Sequence, residues 1–478
     1  MTISRAIVGC IGAVSVFVGA VAQMSAEAST PDPFALIDTP QASVRARFNA
    51  TFGAFGSAGT WYGLDTLTKG SNYRQDRGWG EGWLSPGVDF VLRPDTGFEA
   101  YGSLSLGLSG TLLADPFDTE NRGAALFENA FVGVRTTGKA SDLILDFSIG
   151  RQPYGVGTGM LLWQGAGNGF ERGAVSLLPR RAWAVAAVGR ASFNGFKVEG
   201  FYLDPNELPS SNTGTRLVGG VAEYAWGQKS RLGVAVTKVI ASSLAYPLPS
   251  LPLFIQNGRD GLVSWQGYAL LDGAHMGLPN AWLRGEAAVQ RNGRIDMSAG
   301  AWYAEVGNRF PDLPFSPSIS YGYAAFSGDN PRTSAYERFD PLFYGNGLDN
   351  WWFGSTSAYA FLNANVNYHR VSTSLTISAR DFVKVQYVRS TADKLNSPIQ
   401  FGQGARPGVV NGDLVILTGV SKPHLADEVY VEWTRLHSKQ IVTTLWASIG
   451  FPGDGLNSLP NIQTRNWAAT GFILSVNY

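Results

Sequence analysis

The sequence predicts an all-β fold: a transmembrane antiparallel β-barrel of about 18 strands in an outer membrane, an even count as bacterial barrels require. Three observations lead there. Segments alternate polar and apolar residues, tight turns are set against long polar loops, and the last alternating strand ends on Tyr478.

The alternation decides the class. In Val44–Phe52, Val44, Ala46, Phe48, Ala50 and Phe52 share one face, while Arg45, Arg47, Asn49 and Thr51 take the other. Period two is the mark of a strand with one apolar and one polar side. It recurs in Leu104–Leu112, where Ser103, Ser105, Ser109 and Thr111 form the polar side. In Leu283–Gln290 the polar set is Arg284, Glu286 and Gln290, opposite Leu283, Ala287 and Val289. In Leu362–His369 the polar face reads Asn363, Asn365, Asn367 and His369. A soluble sandwich would bury its apolar faces, which here often carry small Ala and Gly that fill a core poorly but sit acceptably in lipid. In a membrane, only a closed barrel satisfies every backbone group of a strand.

Composition agrees. Charged residues make up 15% of the chain, against about 25% in soluble domains. There are 58 glycines in 478 residues, well above the roughly 7% of an average protein. Aromatics reach 12%, and Gly with many aromatics suits tight turns and interfacial belts. Beyond the first residues no stretch approaches roughly 18 uninterrupted apolar residues, so no helical span is expected. The formal net charge of +0 names no charged partner, and no nucleic-acid patch is expected.

Turn chemistry fits hairpins. Asn194-Gly195 and Asn292-Gly293 each supply two residues tolerant of positive φ, as a two-residue hairpin needs. Asp204–Thr215, Tyr246–Gly261, Ser327–Thr356 and Leu395–Gly412 read as long Gly/Pro-rich loops. Short turns on one rim and long loops on the other, outer rim is the barrel layout.

The two ends frame the barrel. Met1–Arg5 is basic, Ala6–Ala22 is apolar, and small-x-small sites end at Ala22 and Ala28. This is a secretory signal peptide, with cleavage after Ala28 preferred over Ala22. Cys10 falls in that leader, so no disulfide or thiol chemistry is expected of the mature chain. The expected organisation is 1–28 signal peptide, 29–42 a short periplasmic segment, and 43–478 the barrel. In the last strand Phe472, Leu474, Val476 and Tyr478 share one face. Bacterial barrels resemble one another in this terminal strand, which their assembly machinery reads; that machinery and outer-membrane lipid are the expected partners.

Particular words in the sequence resemble the alginate export family of outer-membrane barrels. The first is Phe147–Gly155, a strand ending in Gly150-Arg151-Gln152 and a Tyr154-Gly155 turn, followed by Trp163 and Phe170-Glu171-Arg172-Gly173. The second is Glu337–Phe343, containing Phe339-Asp340-Pro341-Leu342, followed by Trp351, Trp352 and Phe353. The third is the acidic start Ala426-Asp427-Glu428 of a late strand, then Ser448–Gly453. The resemblance extends over most of 43–478 and implies a polysaccharide export channel fed by periplasmic export components. It departs at Val156–Gly159, where the family often carries an Asp and an Arg. Alginate itself is therefore not a safe assignment.

The lumen is where function would reside. By parity Arg45, Arg47, Lys197, Arg284 and Lys384 face inward, with Asn363, Asn365 and Asn367. Arg151 falls on the lipid parity of its strand, so the strand ends or bulges there; with Arg172 it belongs to the family motif. Such cations either stand as a ladder that attracts anions or pair with Glu128, Glu199 or Glu286 and merely order the wall. Catalysis is not expected. Four histidines are present, and His369 and Ser372, three apart on a strand, point to opposite faces, with His369 assigned inward. No cofactor is expected and no metal-ligand spacing occurs; the Gly328-Asp329-Asn330 loop reads as solvated polarity rather than a Ca²⁺ site. Three readings stand: an export channel for an anionic polysaccharide, a general or solute-selective porin, and a structural barrel with a blocked lumen.

Overall fold

The computed structural model describes residues 33–61, 74–94, 97–117, 120–137, 143–227, 229–250, 254–345, 361, 363–399, 406–410, 412–459 and 464–478. The expected signal peptide, with Cys10, lies outside these residues, as do Trp351, Trp352 and Phe353.

The strands of the wall are β1 Ala42–Ala58, β2 Arg77–Leu92, β3 Phe98–Leu112, β4 Gly123–Thr136, β5 Ile144–Arg151 and β6 Val185–Phe193. They continue as β7 Phe196–Asp204, β8 Arg216–Trp226, β9 Ser230–Ala241, β10 Val263–Asp272, β11 Ala281–Asn292 and β12 Met297–Arg309. The last are β13 Ser318–Phe326, β14 Val366–Thr376, β15 Asp381–Thr391, β16 His424–Leu436, β17 Ile441–Pro452 and β18 Trp467–Asn477. Each pairs antiparallel with its neighbour, and β18 returns to β1, closing an 18-stranded barrel. Closure places Phe52 opposite Leu474 and Ala50 opposite Val476. Beyond the strand end, Phe48 and Tyr478 exchange backbone bonds of 2.9 and 2.8 Å. A short strand, Ala35–Asp38, pairs with the start of β1.

Facing follows the alternation. Leu104, Leu106 and Leu108 are exposed on the outside, whereas Ser103 and Ser105 are buried inside. A bulge in β4 inserts Glu128 between Phe127 and Asn129, which oppose Leu106 and Ser105. The extra residue shifts the parity and turns the Glu128 carboxylate inward. Inward aromatics lie flat over wall glycines: Trp83 over Gly107, Tyr268 over Gly233 and Trp446 over Gly471. A Cβ at any of the three would fall inside the ring's contact distance, which gives part of the glycine excess a packing role.

Two expectations from local pattern are corrected. Asn194-Gly195 is a tight turn on the short-turn rim, with φ of 47° and 84°. Asn292-Gly293 is instead on the long-loop rim, because β11 runs toward it, and the chain continues to Asp296 before β12 begins. Asn292 there donates its side-chain amide to the carbonyls of Gly258 (3.0 Å) and Asp260 (2.8 Å). The second correction concerns Leu362–His369. Asn365 is left-handed with φ 56° and β14 starts only at Val366. Parity cannot be carried through such a residue. Tyr368 and Arg370 therefore face inward and are buried, while Asn367, His369 and Val371 face outward. His369 and Ser372 remain on opposite faces.

Candidate lumenal constriction

Residues 152–184, between β5 and β6, fold into the lumen. Gly150, with φ 132°, bends the end of β5. The uncharged, small-residue run from Gly155 to Gly169 can then cross a filled interior without carrying charge into it.

Wall carboxylates fasten this segment. Glu286 on β11 accepts the backbone N–H of Thr158 (2.8 Å) and its hydroxyl (2.6 Å). Glu199 on β7 accepts the Tyr154 hydroxyl at 3.0 Å. On the return, Glu81 on β2 accepts the N–H groups of Ser176 and Leu177, each at 2.9 Å. Glu128 on β4 accepts those of Arg181 (2.8 Å) and Ala182 (3.0 Å). Each anion is buried and would be costly to leave unpaired; two or three donors offset that. Because β2 and β11 lie half the ring apart, the segment spans the barrel.

A second inward segment packs on the first. Leu162 and Phe343 form a parallel bridge, Phe343 donates to the Leu161 carbonyl (2.9 Å), and Gly345 to that of Gly159 (2.9 Å). Met160, Leu161, Leu162, Trp183 and Phe339 are fully buried at this contact. Burying such side chains contributes roughly 1.5–3 kcal/mol each. Asp340 locks the second segment. It takes a forked pair from Arg259 (2.7 and 2.8 Å) and the Tyr246 hydroxyl (2.7 Å), and its backbone exchanges bonds with the Gln290 side chain. Burial alone would raise the Asp340 carboxyl; the Arg259 guanidinium holds it below the ordinary carboxylate range. Nearby, burial raises Asp329 to about 6.

The sequence-predicted cations fall into three groups. Arg172 is buried and spends its donors on the carbonyls of Gly167, Asn206 and Glu207 and the Asn206 side chain, at 2.7–3.1 Å. It is a staple between two loops, with both terminal nitrogens consumed. The neighbouring Arg180, unremarked in the sequence, does likewise with Ser109, Gly107 and Ala124 and lies over Trp83. Burial lowers its guanidinium to about 10.

The second group is paired across the wall. Arg47 meets Ser103 (3.1 Å) and Asp89 (3.7 Å), and Arg45 lies opposite Asp89 in register. Lys197 lies 3.2 Å from both Glu199 and Glu223, and Lys384 lies 3.0 Å from Glu432. Two cations form the third group. Arg284 faces the lumen and Arg151 faces Glu128, and neither makes a hydrogen bond or ion pair among the described residues. Arg151 is thus directed toward the interior at the bent end of β5, despite its parity.

The predicted asparagines do not act as a lumenal ladder. Asn365 donates to the carbonyls of Lys394 (3.1 Å) and Ser397 (3.2 Å), tying two outer loops, and Asn363 is buried in the same turn. Asn367 is on the outer face. Sequence reasoning missed Glu81, Arg180, Arg259 and the anchoring role of Glu286. Their partners are backbone groups or residues far along the chain, which no local pattern reveals.

Residues 268–466 match the family model described as Alginate export. The match runs from within β10 to the segment before β18 and includes the Asp340 patch and the Ala426-Asp427-Glu428 stretch of β16. The fold is similar to that of a BenF-like porin from Pseudomonas fluorescens Pf-5, with TM-score 0.51 and 10% identity over 91% of this chain and 98% of that one. It is also similar to the outer membrane protein opdK from Pseudomonas aeruginosa, with TM-score 0.50, 10% identity and the same coverage. No curated protein matches the chain. The chain is a porin-like outer-membrane β-barrel, and family match and fold together point to a channel.

Proposed function

We propose that this barrel is a passive channel for narrow anionic saccharides, taken as an extended acidic polysaccharide or as short pieces of one. The observation that carries the reading is the group Arg284, Glu305 and Arg370 on β11, β12 and β14. Arg370 claims the one carboxylate, at 3.1 Å. Arg284, opposite Glu305 in register, is left over and faces the lumen. A lumenal guanidinium without a partner among the described residues offers forked donors to a passing carboxylate and lowers the barrier for anions. All three residues lie within the stretch that matches the Alginate export model, which supports the saccharide class. The segment spanning the lumen limits width, which suits a single strand of sugar.

In this reading the first 28 residues are removed on export, the terminal strand is read by the assembly machinery, and periplasmic components supply polymer. A solute-selective porin is the second reading. The pairing of Lys197, Lys384 and Arg47 with wall carboxylates favours it, since a balanced wall discriminates little by charge.

Purified protein in a planar bilayer separates the two. An anion-preferring reversal potential in a salt gradient, with block by uronate oligomers but not by neutral glucose oligomers, is the expected result. A cation-preferring channel indifferent to uronates would remove the anionic reading and leave the porin.

A further inference from the structure

The outer surface of the barrel carries a groove of about 810 Å³ across β7 to β12, within the roughly 300–1,000 Å³ that accommodates a small ligand. Gly267, Gly285 and Ala287 form its floor, and Val234, Tyr224 and Trp302 its walls. It reaches Phe196, the first residue of β7, at the short-turn rim. At its other end the Trp302 ring packs on Tyr323, with centroids 5.1 Å apart.

From Tyr323 a polar cluster continues along the same outer face. Tyr323 meets the His369 ring edge-on at 4.8 Å, and His369 Nδ1 lies 2.8 Å from the Tyr321 hydroxyl. Arg389 stands beside His369 in register and is exposed. The acid of the cluster is Asp427, which accepts the Tyr387 hydroxyl (2.6 Å) and lies 2.9 Å from His424 Nε2. Arg389 lies 3.8 Å from it, too far to close a hydrogen bond. One donor reaches the Tyr387 hydroxyl, and the remaining guanidinium donors are not consumed by that carboxylate.

A charged side chain on the lipid face is tolerated near the interface but not at the midplane. Arg389 and His369 lie two and three residues from the long-loop ends of β15 and β14. At about 3.3 Å per residue this is within roughly 10 Å of the outer rim. Aromatic rings at that depth mark the headgroup level. The apolar groove starts beside this cluster and runs toward the opposite rim, matching a lipid whose headgroup is outside and whose chain points inward.

We propose that this face is a specific site for one lipid of the outer leaflet. Its phosphate headgroup lies against Arg389, His369 and the Tyr321–Tyr323 hydroxyls, and its acyl chain lies in the Gly/Ala groove. Arginine with adjacent hydroxyls and an imidazole provides the donor set a phosphate requires. The chain lies on a floor without side-chain bulk, and Trp302 joins the two halves.

Native mass spectrometry in a neutral detergent tests this, with phosphatidylglycerol as probe. Diacylglycerol of the same chain length and glycerol phosphate serve as the two half-probes. One phosphatidylglycerol adduct should persist at collision energies that strip the half-probes. Arg389→Ala with His369→Ala should weaken it at least tenfold. Ala287→Phe, which fills the groove, should also weaken it, and both variants should keep heat-modifiable migration. Equal retention of diacylglycerol would show that the polar cluster plays no part, and equal retention of glycerol phosphate that the groove plays none. Phosphatidylglycerol binding unchanged by Ala287→Phe, with loss of an oligomer, would assign the groove to a second copy of the chain; each of these results overturns the proposal.

Discussion

Glu286, on β11, takes both the backbone N–H and the hydroxyl of Thr158. A segment that leaves the wall at β5 is thereby held on the far side of the barrel. Glu286→Ala removes the acceptor shared by the Thr158 N–H and hydroxyl, and a buried donor that loses its bond costs about 1–3 kcal/mol. The segment should then swing from the wall. Single-channel recordings of this variant should show higher and noisier conductance than wild type, and Glu286→Gln, which keeps an acceptor, should lie between them. Unchanged conductance in Glu286→Ala would mean that the segment does not define the pore.

A pH dependence follows from Asp329, in the segment after β13. Its carboxyl is raised by burial to about 6 from an ordinary value of 3.8. The folded segment thus binds a proton more readily than the unfolded chain between those values, so stability falls as pH rises through that window. One pH unit corresponds to about 1.4 kcal/mol, giving at most about 3 kcal/mol. Residues 327–345 should be cleaved faster in limited proteolysis at pH 7 than at pH 5, after correction for the protease's own profile. Asp329→Asn should flatten that difference; a wild-type rate that is faster at pH 5 would contradict the assignment.

Arg284 and Arg172 should behave oppositely on substitution. Arg284→Ala removes a lumenal cation with no partner among the described residues, so the reversal potential should shift toward cations with little change in melting. Arg172→Ala strands the carbonyls of Gly167, Asn206 and Glu207. It should lower thermal stability by a few kcal/mol, at about 1–3 kcal/mol per group lost, and leave ion preference nearly unchanged. A large selectivity shift in Arg172→Ala alone would return that residue to the permeation path.

The fold was legible because one physical rule repeats in every strand. Lipid on one side and a polar interior on the other write period two into Val44–Phe52 and Leu104–Leu112, and the facing follows. The rule failed where the backbone left the strand: at Asn365, whose left-handed φ reset the parity of Asn367 and His369, and at Asn292, whose side chain serves a neighbouring loop. The constriction was half visible. The motif around Arg151 to Gly173 marked the right segment, but its cation Arg172 turned out to be a staple. The carboxylates that position the segment bind backbone N–H groups of Gly- and Ser-containing stretches, and a backbone donor has no signature in sequence.

The closing strand offers the sharpest check of facing. Leu474 pairs with Phe52 of β1, whose ring is exposed on the outside, while Ser475 pairs with Thr51 on the inside. A guanidinium at position 474 must enter lipid or snorkel to the rim, costing roughly 2–4 kcal/mol at the midplane and less toward it. At position 475 it meets the polar interior that already holds Arg47 and Asp89, and the cost should be small. Leu474→Arg should therefore lower the denaturant midpoint of refolded barrel, and Ser475→Arg should change it little. Because the two positions are adjacent, strand propensity and assembly context are nearly constant between them. Equal penalties, or a larger one at 475, would mean that β18 pairs with β1 in a register shifted by one residue.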